Sequence, residues 1–177
     1  MTPNVKATLY DELESLFGEF AHPGDKALAS SLPNEWESIF EQLHGKNWHT
    51  VEISDFDSQG GIYEGIQVLS VRGFVYFLPG LVRIALTQPR SEPVISALLS
   101  QFAHLDRPGS SFQKQQKIIA SLSPEQRNFL ARFFAEMQRL DPLICSAISD
   151  SAIRNLAEGR ITSYQQSDVE QWLSKLA

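Results

Sequence analysis

Apolar residues recur along this chain at steps of three and four, the period of an α-helix with one buried face. Val5, Leu9, Leu13, Leu16, Phe17 and Phe20 form the first stripe, with Asp11, Glu12, Glu14 and Glu19 off it, and the pattern stops before His22-Pro23-Gly24-Asp25. A second helix is expected near Asp25. A third is expected from Asn34, where Asn34 and Glu37 have capping-box spacing, Trp36, Ile39, Phe40 and Leu43 make the stripe, and Gly45 supplies the C-terminal stop.

Residues 46–69 break the period. Trp48, Val51 and Ile53 mix with Asp55, Asp57 and Ser58-Gln59-Gly60-Gly61, which predicts a long surface loop or a short hairpin, the only place where β-structure is expected. From Val71 to Leu86 almost every position is apolar, so a central buried helix capped by Ser70 is predicted. Pro79 lies in its interior and predicts a kink or break near Leu78.

Ser91-Glu92-Pro93 starts the next helix, Asp106-Arg107-Pro108-Gly109-Ser110 makes a turn, and Ile118, Ile119 and Leu122 belong to a short helical piece. Ser123, Pro124 and Gln126 supply a full start signal for a helix carrying Phe129, Leu130, Phe133, Phe134, Met137 and Leu140. Asp141-Pro142 opens another, Gly159 closes it, and Ser167 with Glu170 caps a last one bearing Val169, Trp172, Leu173 and Leu176. The expected fold class is therefore all-α, mainly helical, with about eight helices.

A length of 177 residues fits one domain able to bury a core without disulfides or metals. Residues 1–177 are read as a single helical domain, with 141–177 a C-terminal extension on a core spanning 1–140. Cys145 is the only cysteine and sits in an apolar run, which suits a core thiol in a reducing, cytoplasmic setting. No apolar segment resembles a secretory leader, and the longest apolar stretch falls well short of a membrane span; no membrane association is expected.

The net charge of −6 is unevenly placed. Residues 1–66 hold twelve acidic and three basic side chains, whereas residues 67–177 hold nine acidic and twelve basic. This sign disfavours nucleic acid as a partner, because phosphate neutralisation needs Lys and Arg. An acidic third suits a basic protein partner, or the other half of the same fold.

Few chemical motifs are present. His22, His44, His49 and His104 lack the i,i+3 or i,i+4 spacing that converges two imidazoles on one metal, and no serine lies in a Gly-x-Ser-x-Gly elbow. Gly60-Gly61 and Gly65 are not followed by Lys-Ser/Thr, so a turn is favoured over a phosphate loop. No metal, no cofactor and no catalytic residue is expected, and the chain is read as not an enzyme. The carboxylates of Glu52, Asp55, Asp57 and Glu64, flanked by Trp48, Phe56 and Tyr63, combine steering charge with aromatic anchors and form the expected partner-binding patch. An alternative is a pocket for an anion or small molecule, or an active site, at Arg72, Tyr76 and Arg83, which share a face on an unbroken helix. The plainer reading is that those arginines either reach solvent or pair internally with acids from the first third.

Several blocks act together: His22-Pro23-Gly24-Asp25 after the first helix, Trp48 after the third, Leu69-Ser70-x-x-Gly73-Phe74-x-Tyr76-Phe77-Leu78-Pro79-x-Leu81, and Leu122-Ser123-Pro124-Glu125-Gln126. In combination they resemble an uncharacterised family of bacterial helical domains, a domain-of-unknown-function family found in uncharacterised and toxin-associated bacterial proteins. The resemblance covers about residues 5–140 and carries over no catalytic residue. What it implies is a setting like that of immunity proteins: a non-enzymatic inhibitor that neutralises a bacterial toxin by occluding a basic surface.

Overall fold

The computed structural model describes residues 3–18, 20–28, 36–58, 60–88, 91–103, 110–140 and 142–159. Among them are eight α-helices: α1 (Pro3–Phe17), α2 (Trp36–Leu43), α3 (Ile62–Gln67), α4 (Val71–Thr87), α5 (Glu92–Ala103), α6 (Ser110–Ala120), α7 (Pro124–Leu140) and α8 (Pro142–Glu158), with 3-10 turns at Asp25–Ala27 and Ile53–Phe56. No strand occurs among the described residues, so the all-α expectation holds; of the long loop or short hairpin expected within 46–69 the hairpin is absent, and the irregular stretch carries a 3-10 turn and α3. The helix expected near Asp25 is a single 3-10 turn. Asn34, the side chain of Cys145 and the helix expected after Ser167 lie outside what is described.

Helix α4 is the axis of the molecule. Phe74, Phe77, Leu78, Leu81, Val82 and Ile84 are fully buried, and α1, α5 and α6 pack around it. Of the kink or break expected near Leu78, the break does not occur: the helix runs through Pro79. Losing the Pro79 N–H costs about 3 kcal/mol, whereas each large apolar side chain buried along α4 contributes about 1.5–3 kcal/mol; packing on all sides therefore holds the segment helical. Ser70 caps the helix as expected, its hydroxyl oxygen accepting from the Gly73 N–H at 2.9 Å while its O–H donates to the Ala27 carbonyl at 2.5 Å.

Two glycines set what lies against α4. Gly73 and Gly80 are seven residues, or two turns, apart and so share a face. A side chain at Gly73 would strike the Leu28 backbone, and one at Gly80 the Trp48 carbonyl and Val51. Through these gaps the chain around Leu28 and the turn from Trp48 to Val51 approach the helix backbone. The second half closes the core: α5 packs on α3, α4 and α8, and α7 packs between α1 and α8. The start of α7 is the reciprocal capping box foreseen in the sequence, with Gln126 N–H donating to Ser123 Oγ at 3.2 Å and Ser123 N–H to Gln126 Oε1 at 2.9 Å. Gly159, with φ of 57°, ends α8. One contiguous apolar core runs from Leu9 on α1 to Leu156 on α8.

Candidate functional site

The segment between α2 and α4 is irregular because its polar side chains bond to its own backbone instead of letting a helix form. Asn47 Oδ1 accepts from the His49 and Thr50 N–H groups at 2.9 and 3.2 Å. Asp55 Oδ2 accepts from the Glu52 N–H at 2.9 Å, and Asp55 Oδ1 lies 2.5 Å from Lys46 Nζ. Ser58 donates to the Gly61 carbonyl at 2.9 Å just before α3 begins.

The structure divides the expected partner-binding residues into two groups. Trp48, Asp55 and Phe56 face inward: Trp48 is 1% exposed and Phe56 is fully buried, meeting the ring of Phe77 edge-on at 5.9 Å. Asp55 is buried too, and its carboxylate is taken up by Lys46 and Glu52 N–H. These three are anchors of the segment and not part of its outer surface. Glu52, Asp57, Tyr63 and Glu64 face solvent, and Tyr63 is the exposed large hydrophobic among the described residues. None of these three carboxylates joins an ion pair among the described residues.

Other acids of the first third are engaged. Glu12 pairs with Arg132, Glu14 Oε2 lies 3.2 Å from His49 Nε2, and Asp25 Oδ2 lies 2.9 Å from His44 Nδ1. Among the described residues, only the Glu12 pair joins the acidic and basic halves through an arginine.

The alternative trio is not gathered into one pocket. Arg72 is exposed, Tyr76 is 4% exposed, and Arg83 is half-buried with its guanidinium donating to the Val51 carbonyl. Along a continuous helix the two arginines are separated by about 16 Å of rise, too far to grip one small anion. Burial raises the Tyr76 pKa, opposed by hydrogen bonding from the Trp48 backbone, so the hydroxyl stays protonated and serves packing.

A polar cluster that sequence reasoning missed lies where α3, α5 and α6 meet. Lys114 Nζ donates to the Gln67 carbonyl at 2.6 Å, Gln67 Nε2 to Ser100 Oγ at 2.6 Å, and Gln115 Nε2 to the Ser100 carbonyl at 2.7 Å; Gln101 Nε2 donates to Gln67 Oε1. Burial lowers the Lys114 pKa to about 8. The available signal was Gln101, a polar residue between Leu98 and Phe102 on an otherwise buried helix face.

A groove of about 380 Å³ separates α1 from α7, lined by Val5, Thr8, Leu9, Arg132, Ala135 and Glu136. Its charges are already engaged, Arg132 with Glu12 and Glu136 with Arg139, so no free charge marks it for a ligand. Among the described residues no His, Cys, Asp or Glu group of three or more is placed to hold a metal ion, and no helix is long and apolar enough to cross a membrane.

No family model, curated protein or solved structure matches the chain. The geometry of the 52–64 segment therefore carries the functional argument.

Proposed function

We propose that the chain is a non-enzymatic protein-binding domain whose 52–64 segment covers a basic surface of a partner, acting as an inhibitor of immunity-protein type against a bacterial toxin in the cytoplasm. One observation carries the reading: Glu52, Asp57 and Glu64 stand exposed and without ion pairs beside the exposed ring of Tyr63, on a segment pinned from beneath by Phe56 and the Lys46–Asp55 pair. Pinning lowers the entropy lost on binding, because the backbone is already ordered. These carboxylates, none held in an ion pair among the described residues, supply long-range attraction that speeds encounter with a positive surface, and the tyrosine supplies amphipathic contact area. Inhibition would follow from occlusion, with no bond made or broken. The block resemblance to toxin-associated helical domains points the same way.

The test is co-purification with the proteins encoded by the adjacent reading frames, at low and high salt. A complex that forms in low salt, weakens in high salt and is lost in the E52K/D57K/E64K variant is the expected result. Tight binding unaffected by those three substitutions overturns the site, and failure of every neighbour-encoded protein to bind overturns the inhibitor reading.

A further inference from the structure

Residues 160–177 lie outside the described part of the chain, and their sequence poses a physical problem. Val169, Trp172, Leu173 and Leu176 stand at steps of three and four, one apolar face on the helix that Ser167 and Glu170 predict. A helix of about ten residues does not hold in water by itself. Its apolar face, with a tryptophan at the centre, therefore needs a cover.

The groove between α1 and α7 is the complementary feature. It holds about 380 Å³, and among the described residues its walls come from these two helices alone. Buried Leu9, half-buried Val5 and exposed Ala135 give it an apolar lining, with the charged side chains of Arg132 and Glu136 beside them. Its volume is at the small end of the range that takes drug-sized molecules, which suits a few inserted side chains.

The end of α8 puts the segment within reach. Gly159 sits beside Arg127 in the first turns of α7, since a Cβ there would come within 3.3 Å of the guanidinium. Along α7, Arg132 and Glu136 lie about 7.5 and 13.5 Å of rise beyond Arg127. Residues 160–166 span up to about 23 Å when extended. The apolar face therefore reaches the groove with slack, running in the same direction as α7. Charge fits that direction. Asp168 and Lys175 are seven residues apart, close to two full turns, so they share one flank of the face. Acid precedes base on that flank, whereas base precedes acid from Arg132 to Glu136 on the wall, and in parallel each charge meets its opposite. The wall's own pairs, Arg132 with Glu12 and Glu136 with Arg139, are solvent-accessible and individually weak, so they admit a further charge.

We propose that the groove between α1 and α7 is the seat of the chain's own carboxyl-terminal segment, residues 167–176, with Trp172 and Leu173 set against Val5, Leu9 and Ala135. The segment is a strap: it starts from α8 and holds the first helix to the seventh. A tether this short gives it an effective concentration on the order of millimolar, which puts it ahead of any free occupant. The groove shares no residue with the 52–64 segment, so the strap stands or falls separately from toxin binding.

The experiment is hydrogen exchange of the full chain, read by peptide mass spectrometry at several protein concentrations. Amides of 168–176 are expected to exchange about tenfold or more slowly than in a free peptide of the same sequence, equally at every concentration. Ala135→Arg, a good helix former at an exposed position, fills the groove and is expected to abolish that protection while α8 keeps its own. Exchange at the free-peptide rate overturns the proposal, as does protection that survives Ala135→Arg. Protection that fades on dilution assigns the groove to the segment of a second copy and also overturns it. Photocrosslinking from Trp172→p-benzoylphenylalanine locates the segment without touching α7, so the result does not depend on the folding of the Ala135→Arg variant. Adducts with residues 5–9 or 132–136 of the same chain are expected; adducts elsewhere, or joining two chains, overturn the assignment.

Discussion

A methyl group placed on Gly80 would lie 2.6 Å from the carbonyl oxygen of Trp48. That distance is incompatible with the present backbone, since neither α4 nor the turn bearing Trp48 can move without disturbing Val51 and Arg83. Gly80→Ala is expected to lose about 3 kcal/mol of stability. Urea unfolding measures it; a loss below about 0.5 kcal/mol would mean that the turn is not seated on the helix.

Asp55 and Asp57 are two residues apart and have opposite roles. Asp55→Asn leaves the Lys46 ammonium without its charge partner and weakens the acceptor of the Glu52 N–H, an expected cost of about 2 kcal/mol. Asp57→Asn removes an exposed charge and is expected to stay within about 0.5 kcal/mol of the parent. Chemical denaturation of the two variants side by side distinguishes an anchoring carboxylate from a surface one.

Ser70 serves two helices' worth of backbone at once, accepting from Gly73 N–H and donating to the Ala27 carbonyl. Ser70→Ala is expected to cost about 1–2 kcal/mol. Hydrogen exchange should localise the loss to the first turn of α4; unchanged protection there would contradict the cap.

Lys114 ties stability to pH. Its pKa is about 8 in the fold and about 10.4 in an unfolded chain. Between those values the unfolded state binds more protons, so stability rises with pH across that window and shows the full penalty below it. With the amine's partial exposure discounted, the rise is on the order of 2 kcal/mol. Unfolding free energies measured at intervals from about pH 7 to 10.5 should show it, and Lys114→Met should remove that component of the slope.

Replacing Tyr63 and Glu64 together by alanine is expected to leave the melting temperature within about 2 °C, because both are solvent-facing. A large drop would show that the outer surface of α3 is structural and would remove it from the binding surface proposed above.

The helical pattern was legible wherever one face is apolar and a capping residue marks the start. The α7 capping box, the Ser70 cap and the stops at Gly45 and Gly159 all follow from residue chemistry that acts over three or four positions. Of the kink or break read at Pro79, the break does not occur, because the local cost visible in sequence is outweighed by burial that comes from α1, α5 and α6. The 46–69 stretch misled for a related reason: Asn47, Asp55 and Ser58 bond to nearby backbone, and nothing in periodicity signals a 3-10 turn. Within the candidate site, charge was readable but orientation was not. Trp48 and Phe56 look like surface anchors beside acids until Gly80 and Gly65 are seen to admit their backbone against neighbouring helices. The Lys114 cluster draws on three helices separated by up to 48 residues of sequence from Gln67 to Gln115, so no local pattern announces it.

The pairing of α1 with α7 also bears on how the molecule comes into being. Gln126 reaches back 110 positions to the Leu16 carbonyl, and Arg132 reaches 120 positions to Glu12. During synthesis the first helix leaves the ribosome long before α7 has been translated, and its apolar stripe of Leu9, Leu13 and Phe17 has only the cover that α4 gives until then. At typical elongation rates that wait lasts from several seconds to some twenty seconds, an interval in which a chaperone has access to the amino-terminal end and a truncated chain ending before α7 would remain sticky.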